Sequence, residues 1–166
     1  MYYFAYGSNM SLARLTARVP SAIKLGCYTL EQHELRFHKA SHDGSGKCDA
    51  FYTSNSKHFI HGALYRIDPE HKADLDKVEG LGKGYNIKTV RVVSDQGHAV
   101  NAFTYVATHI DHSLAPYSWY LNHVLIGAWE TKLPQTYIKT KISAINAIED
   151  HNLHRDKHER AIHQPE

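Results

Sequence analysis

Residues 3–10 read Tyr3-Phe4-Ala5-Tyr6-Gly7-Ser8-Asn9-Met10, a short apolar strand that runs straight into a turn of one glycine and two small hydrogen-bonding residues. Gly7 permits backbone conformations closed to other residues and lets a ligand approach the main chain closely. Ser8 and Asn9 add side-chain donors and acceptors, so the turn can cradle a small polar or anionic ligand. The same letters are also ordinary turn chemistry, in which Ser8, Asn9 or Ser11 caps the helix suggested by Leu12, Leu15 and Val19.

Outward from this start, the segments Cys27 to Phe37 and Ala50 to Thr53 read as strands joined across the Asp43-Gly44-Ser45-Gly46 turn cluster. Phe59 to Ile67 puts Ala63, Tyr65 and Ile67 on one face and Ile60, Gly62 and Leu64 on the other, which predicts a strand covered on both sides. Asp68-Pro69 is a helix-start signature, and Gly80 is a terminator, so Ala73, Leu75 and Val78 lie on a short helix that ends at Glu79. Asn86 to Ser94 and Ala99 to Ala107 flank Asp95-Gln96-Gly97 as a hairpin, which favours antiparallel sheet. Two amphipathic helices follow, one over Tyr117, Tyr120, Leu121, Val124 and Leu125, the other over Ile138, Ile142, Ile145 and Ile148 after the Leu133-Pro134 break. Residues 151–166 carry too few apolar side chains to bury a face and read as a polar, histidine-rich tail to a domain spanning 1–150.

With 166 residues, 42% of them hydrophobic, the chain has material for one well-buried core and one domain. Its 19 Lys and Arg are balanced by 17 Asp and Glu and are dispersed, so no nucleic-acid partner is expected. Cys27 and Cys48 lack CxxC spacing and read as reduced thiols, no apolar run approaches bilayer length, and no leader pattern is present. A cytoplasmic protein without a membrane partner is expected.

Glu79 is the carboxylate of interest, because it lies in the apolar stretch Val78 to Leu81 and opens a glycine-broken loop, Gly80-Leu81-Gly82-Lys83-Gly84-Tyr85. Its bland alternative is a helix-end residue paired with Lys77 or Lys83. The loop has neither phosphate-binding glycine spacing. His109 with His112, and His154 with His158, lie in a loop and a polar tail, so no metal site is predicted. Ser8 lacks a nucleophile elbow. Tyr120 lies on a helix stripe, where a core tyrosine and a ligand contact are both open readings, as they are for Tyr85 and Tyr105.

Taken in order, the Tyr3 to Met10 strand and turn, Glu79-Gly80 with Tyr85 after the glycines, Tyr120, and Gly127-Ala128 resemble the gamma-glutamylcyclotransferase family. The likeness covers roughly residues 1–150 and takes in Arg14, Pro20-Ser21-Ala22, and Leu133-Pro134 followed by Tyr137. It implies an α+β fold, a small, mostly antiparallel β-barrel flanked by α-helices, with a pocket at one end. It implies an enzyme that cyclises a gamma-glutamyl amino acid or amine to 5-oxoproline by intramolecular acyl transfer and needs no cofactor or metal. Glu79 would be the general acid/base; Tyr3, Phe4, Ala5, Tyr6, Gly7, Ser8 and Asn9 the substrate-binding strand and turn; and Tyr120, with Tyr85 and Tyr105 as companions, further substrate contacts. Asn9 separates this turn from the glutathione-specific branch, whose turn carries Leu after Ser. The partner implied is a small gamma-glutamyl substrate, with a homodimer left open. The alternative is a barrel of the same fold that binds a small ligand or a protein without turnover.

Overall fold

A computed structural model describes residues 1–164. Strand β1 (Tyr2–Ala5) leads into one 3-10 turn over Ser8–Met10, and helix α1 (Leu12–Thr16) follows. Of the three candidate caps, Ser11 is the one used, its hydroxyl accepting from Arg14 N at 3.4 Å.

The run Cys27 to Phe37 is two strands, β2 (Ile23–Glu31) and β3 (His33–Ala40), and not one. Gln32 divides it with a left-handed φ of 60°. The reversal is held because Gln32 N donates to His58 O at 2.7 Å and Gln32 O accepts from Thr53 N at 2.8 Å. Strand β4 (Gly46–Tyr52) starts earlier than its composition suggests and pairs antiparallel with β3 as a separate hairpin.

Strand β5 (Phe59–Arg66) lies between β1 and β2. Ile60, Ala63, Leu64 and Tyr65 are all fully buried there, so both faces are covered as the alternation predicts. Each large apolar side chain so buried contributes about 1.5–3 kcal/mol, which makes this strand the centre of the core. Strands β6 (Tyr85–Ser94) and β7 (Ala99–Ala107) form the expected hairpin, in register from Tyr85↔Ala107 to Val93↔Ala99. The barrel closes in the order β1-β5-β2-β6-β7, with the β1–β7 pairing at Tyr3↔Phe103 the parallel one. The fold is therefore a five-stranded, mostly antiparallel barrel flanked by helices.

Helix α2 (Lys72–Glu79) follows a 3-10 turn over Pro69–His71. It ends as the sequence predicts: Gly80 takes φ 65°, Gly80 N donates to Lys77 O at 3.2 Å, and Leu81 N donates to Asp76 O at 2.9 Å. This closure satisfies carbonyls that the last helical turn would otherwise leave bare, and it fixes where Glu79 stands.

Helix α3 (Ser118–Glu130) covers the barrel end, and α4 starts at Gln135–Tyr137 before widening into a π-helix over Ile138–Ser143. The predicted second helix thus stops short of Ile145 and Ile148. The π turn ends at Ser143, so Ile138 and Ile142 are buried on it while Ile148, beyond its end and 47% exposed, makes a bridge to Tyr117. Among the described residues no helix is long and apolar enough to cross a membrane.

Residues Leu153–Ala161 form α5, which leans on α3 and α1 through polar contacts. Arg14 Nη1 donates to Glu159 Oε2 at 2.5 Å, and His123 Nε2 lies 2.8 Å from the same oxygen and 3.0 Å from Arg14 Nη1. Burial, with the Arg14 charge beside it, pushes the fully buried His123 imidazole down to about 4. Burial of Glu159 works toward a higher value, but the hydrogen bond from His123 and the Arg14 charge together hold it at about 2.

Both shifts are depressions, so both groups stabilise the fold above their unfolded values. The His123 contribution is complete above pH 6.5 and is lost as pH falls toward 4, on the order of 3 kcal/mol, because the unfolded chain binds that proton first. Urea unfolding across this window should show wild-type stability falling and His123→Asn stability falling less. Parallel curves for the two proteins would contradict this role for His123.

Candidate active site

A cavity at one end of the barrel is walled by Tyr3, Tyr6 and the Gly7 to Asn9 turn on one side, and by Cys48, Glu79, Tyr85, Tyr105 and Tyr120 on the others. Phe4 and Ala5, their neighbours in sequence, lie outside the lining. Strand alternation sends Phe4 into the core at 0% exposure, where its carbonyl accepts from Thr104 Oγ1 at 2.8 Å.

Gly7 owes its place to packing. Its φ of −116° is open to any residue, but a methyl group there would stand 2.8 Å from Cys48 Cβ and 3.4 Å from the Tyr120 hydroxyl. The turn can therefore pack against β4 and α3 only as glycine. The turn is held from below by Tyr65, whose hydroxyl donates to Met10 O at 2.8 Å.

Among the described residues Glu79 is the one carboxylate that lines the cavity. Asn9 Nδ2 donates to Glu79 Oε1 at 2.8 Å and to the Tyr3 hydroxyl at 3.1 Å, so the turn and the end of α2 are tied by one amide. Arg18 completes the network: Nη1 donates to Asn9 Oδ1 at 2.9 Å and stands 3.6 Å from Glu79 Oε1. The carboxylate's cation is thus Arg18, from beyond α1, and neither Lys77 nor Lys83. Nothing in the spacing of the chain points to Arg18, which lies between two apolar stretches; only the folded turn brings it here.

The tyrosines divide by what their hydroxyl protons do. Tyr6 donates to Tyr105 O, Tyr85 to Cys48 O at 2.7 Å, and Tyr105 to Asp76 Oδ1 at 2.5 Å, so all three protons are committed to protein acceptors. The Tyr3 and Tyr120 hydroxyls instead accept, from Asn9 and from Cys48 N at 3.0 Å, and each retains a proton to give to whatever fills the cavity. Burial pushes the Tyr3, Tyr6, Tyr85 and Tyr120 phenols well above their ordinary value, which keeps them as neutral hydrogen-bonding groups. Burial also raises the Cys48 thiol to about 12, far from a reactive thiolate.

Tyr120→Phe should therefore remove both the acceptor of Cys48 N and the hydroxyl left to meet a ligand while keeping the ring packing, lowering turnover about tenfold, the worth of roughly one hydrogen bond. Unchanged kinetics with a lowered melting temperature would mark Tyr120 as a core residue only.

Comparison with known proteins bears on what this cavity does. Residues 59–140 match the model of the AIG2-like family. The chain is 30% identical over 152 residues to a Mus musculus gamma-glutamylcyclotransferase, covering 89% of this chain and 79% of that protein. It is 29% identical over 148 residues to the Homo sapiens gamma-glutamylcyclotransferase, covering 86% and 77% respectively. A solved structure described as a gamma-glutamyl cyclotransferase superposes with a TM-score of 0.81 at 27% identity, over 89% of this chain and 88% of its own. With a relative of this identity matched over most of both lengths, the chain belongs to the gamma-glutamylcyclotransferase family.

Proposed function

We propose that the protein cyclises gamma-glutamyl compounds to 5-oxoproline and releases the amine, with Glu79 as its general acid/base. The observation that carries this reading is that, among the described residues, a single carboxylate faces a small cavity otherwise walled by tyrosine hydroxyls, Cys48 and a glycine turn. That inventory matches a reaction in which the substrate supplies its own nucleophile. The α-amine attacks the γ-carbonyl, forming the new N–Cγ bond. Collapse of the tetrahedral intermediate breaks the bond from Cγ to the departing nitrogen.

Two proton movements remain, and one carboxylate serves both. Glu79 takes the proton from the attacking amine and returns it to the departing nitrogen. Amides that open the Ser8–Met10 turn have no partner within it and can meet the γ-carbonyl oxygen as charge develops there. Asn9 and Arg18 fix the carboxylate. Holding the glutamyl chain curled is itself a large contribution, since orientation supplies up to about 7–11 kcal/mol in well-placed intramolecular reactions. No enzyme nucleophile is required, in keeping with a Cys48 thiol that stays protonated.

Incubation of purified protein with a panel of gamma-glutamyl dipeptides and gamma-glutamyl amines should release 5-oxoproline from at least one class. Folded protein that binds these compounds, seen as a raised melting temperature, yet forms no product would reduce the site to a binding pocket.

A further inference from the structure

Beyond Glu79 the cavity opens into a second chamber that shares Ser8, Glu79, Tyr85 and Tyr120 with the first. The rest of its wall is Ser41, Val78 and four cations, Arg14, Arg18, Lys39 and Lys47. Three of these charges are answered by the protein. Arg14 meets Glu159 at 2.5 Å, Arg18 meets Asn9 and Glu79, and Lys47 donates to Asp43 Oδ2 at 2.9 Å.

Lys39 is not answered. It is 7% exposed, yet among the described residues its ammonium has no hydrogen-bond acceptor or carboxylate partner and lies only over the face of Tyr85, 4.8 Å from the ring centroid. It also stands directly across the β3–β4 hairpin from Lys47. Like charges in that register destabilise a hairpin. Burial lowers the Lys39 ammonium, with the more distant Glu79 and Asp43 charges opposing. An ammonium at a cavity wall, set against a second cation and given no acceptor by the described residues, is free to meet a ligand.

The geometry also says which part of a ligand. If Glu79 protonates the departing nitrogen, as proposed above, that nitrogen sits where the two chambers meet, and the group attached to it extends into the outer one. We propose that Lys39 is the specificity-determining residue for the leaving group, receiving a carboxylate carried by the departing amine, so that gamma-glutamyl amino acids are taken in preference to gamma-glutamyl amines with neutral leaving groups.

The test uses gamma-glutamylalanine and gamma-glutamylethylamine, which differ by that carboxylate. Wild-type kcat/KM should favour gamma-glutamylalanine by about 10- to 100-fold, the scale of a charge-assisted hydrogen bond. Lys39→Met should bring gamma-glutamylalanine down to the level of gamma-glutamylethylamine and leave the latter unchanged, while Lys39→Arg restores most of the preference. A Lys39→Met protein that loses both substrates equally, or neither, overturns the proposal. Its melting temperature should equal or exceed that of the wild type because an unpartnered charge has gone; a marked drop would make Lys39 structural and also overturn it. If the wild type forms no 5-oxoproline from either compound, the cyclotransferase reading fails, and titration calorimetry with the same two compounds decides on Lys39: a carboxylate preference that Lys39→Met abolishes upholds it, and equal binding overturns it.

Discussion

Glu79→Gln is expected to lower 5-oxoproline release by about 10²- to 10⁴-fold, the usual contribution of a positioned general acid/base, with little change in KM or melting temperature. The amide keeps an oxygen for Asn9 Nδ2 to bond and keeps the side-chain volume at the helix end, so the wall of the cavity survives. What disappears is the ability to hold and return a proton. The substitution also removes the charge that faces Arg18 at 3.6 Å, but Arg18 Nη1 keeps its hydrogen bond to Asn9 Oδ1 at 2.9 Å, so the loss is a modest one for stability. Kinetics near those of the wild type would show that the proton moves through another group, and among the described residues the cavity lining offers no second carboxylate to take the part.

The second large effect is expected at Gly127→Ala, 48 positions further along the chain. A methyl group on Gly127 would stand 2.4 Å from Ser11 N and 2.6 Å from the Met10 carbonyl carbon, both main-chain atoms that cannot step aside. Helix α3 and the Ser8–Met10 turn would have to part. Overpacking of this kind costs about 1–3 kcal/mol, which for a chain of this size is a fall in melting temperature of several degrees. Because the displaced turn carries Asn9, whose amide holds both Glu79 and Tyr3, activity should fall by more than the stability loss accounts for. A Gly127→Ala protein with wild-type melting temperature and turnover would mean that the helix does not set the position of the turn.

These two residues show where reading the chain succeeds and where it stops. Glu79 is legible because local rules place it: Asp68-Pro69 starts a helix, Gly80 ends it with a positive φ, and the last side chain before the glycine is an acid in an apolar stretch. Strand β5 is legible for the same reason, since its two apolar faces need no partner to be recognised. Gln32 escapes notice because a non-glycine residue in the left-handed region carries no compositional mark, and so two strands read as one. The π-helical widening at Ile138–Ser143 is invisible to a search at 3.6-residue spacing.

Long-range chemistry is hidden in another way. Arg18 and Lys39 look like solvated charges on a connection and a strand, and their meaning arises only when the turn, the β3–β4 hairpin and the end of α2 come together around one cavity. The same holds for Glu159, which reads as one charge in a polar tail until α5 brings it to Arg14 and His123. Phe4 and Ala5 make the converse point. They belong to the quoted strand and are buried, but neither lines the cavity, so a contiguous motif is not a contiguous site.

The central claim is that the substrate's own amine closes the ring, with no water entering the bond that forms. It is tested most directly by running the reaction in ¹⁸O-labelled water and weighing the acidic product by mass spectrometry. Intramolecular cyclisation predicts 5-oxoproline without label, formed in equal amount to the released amine. Glutamate carrying one ¹⁸O in its γ-carboxyl group would instead identify hydrolysis, and would contradict the mechanism assigned to Glu79.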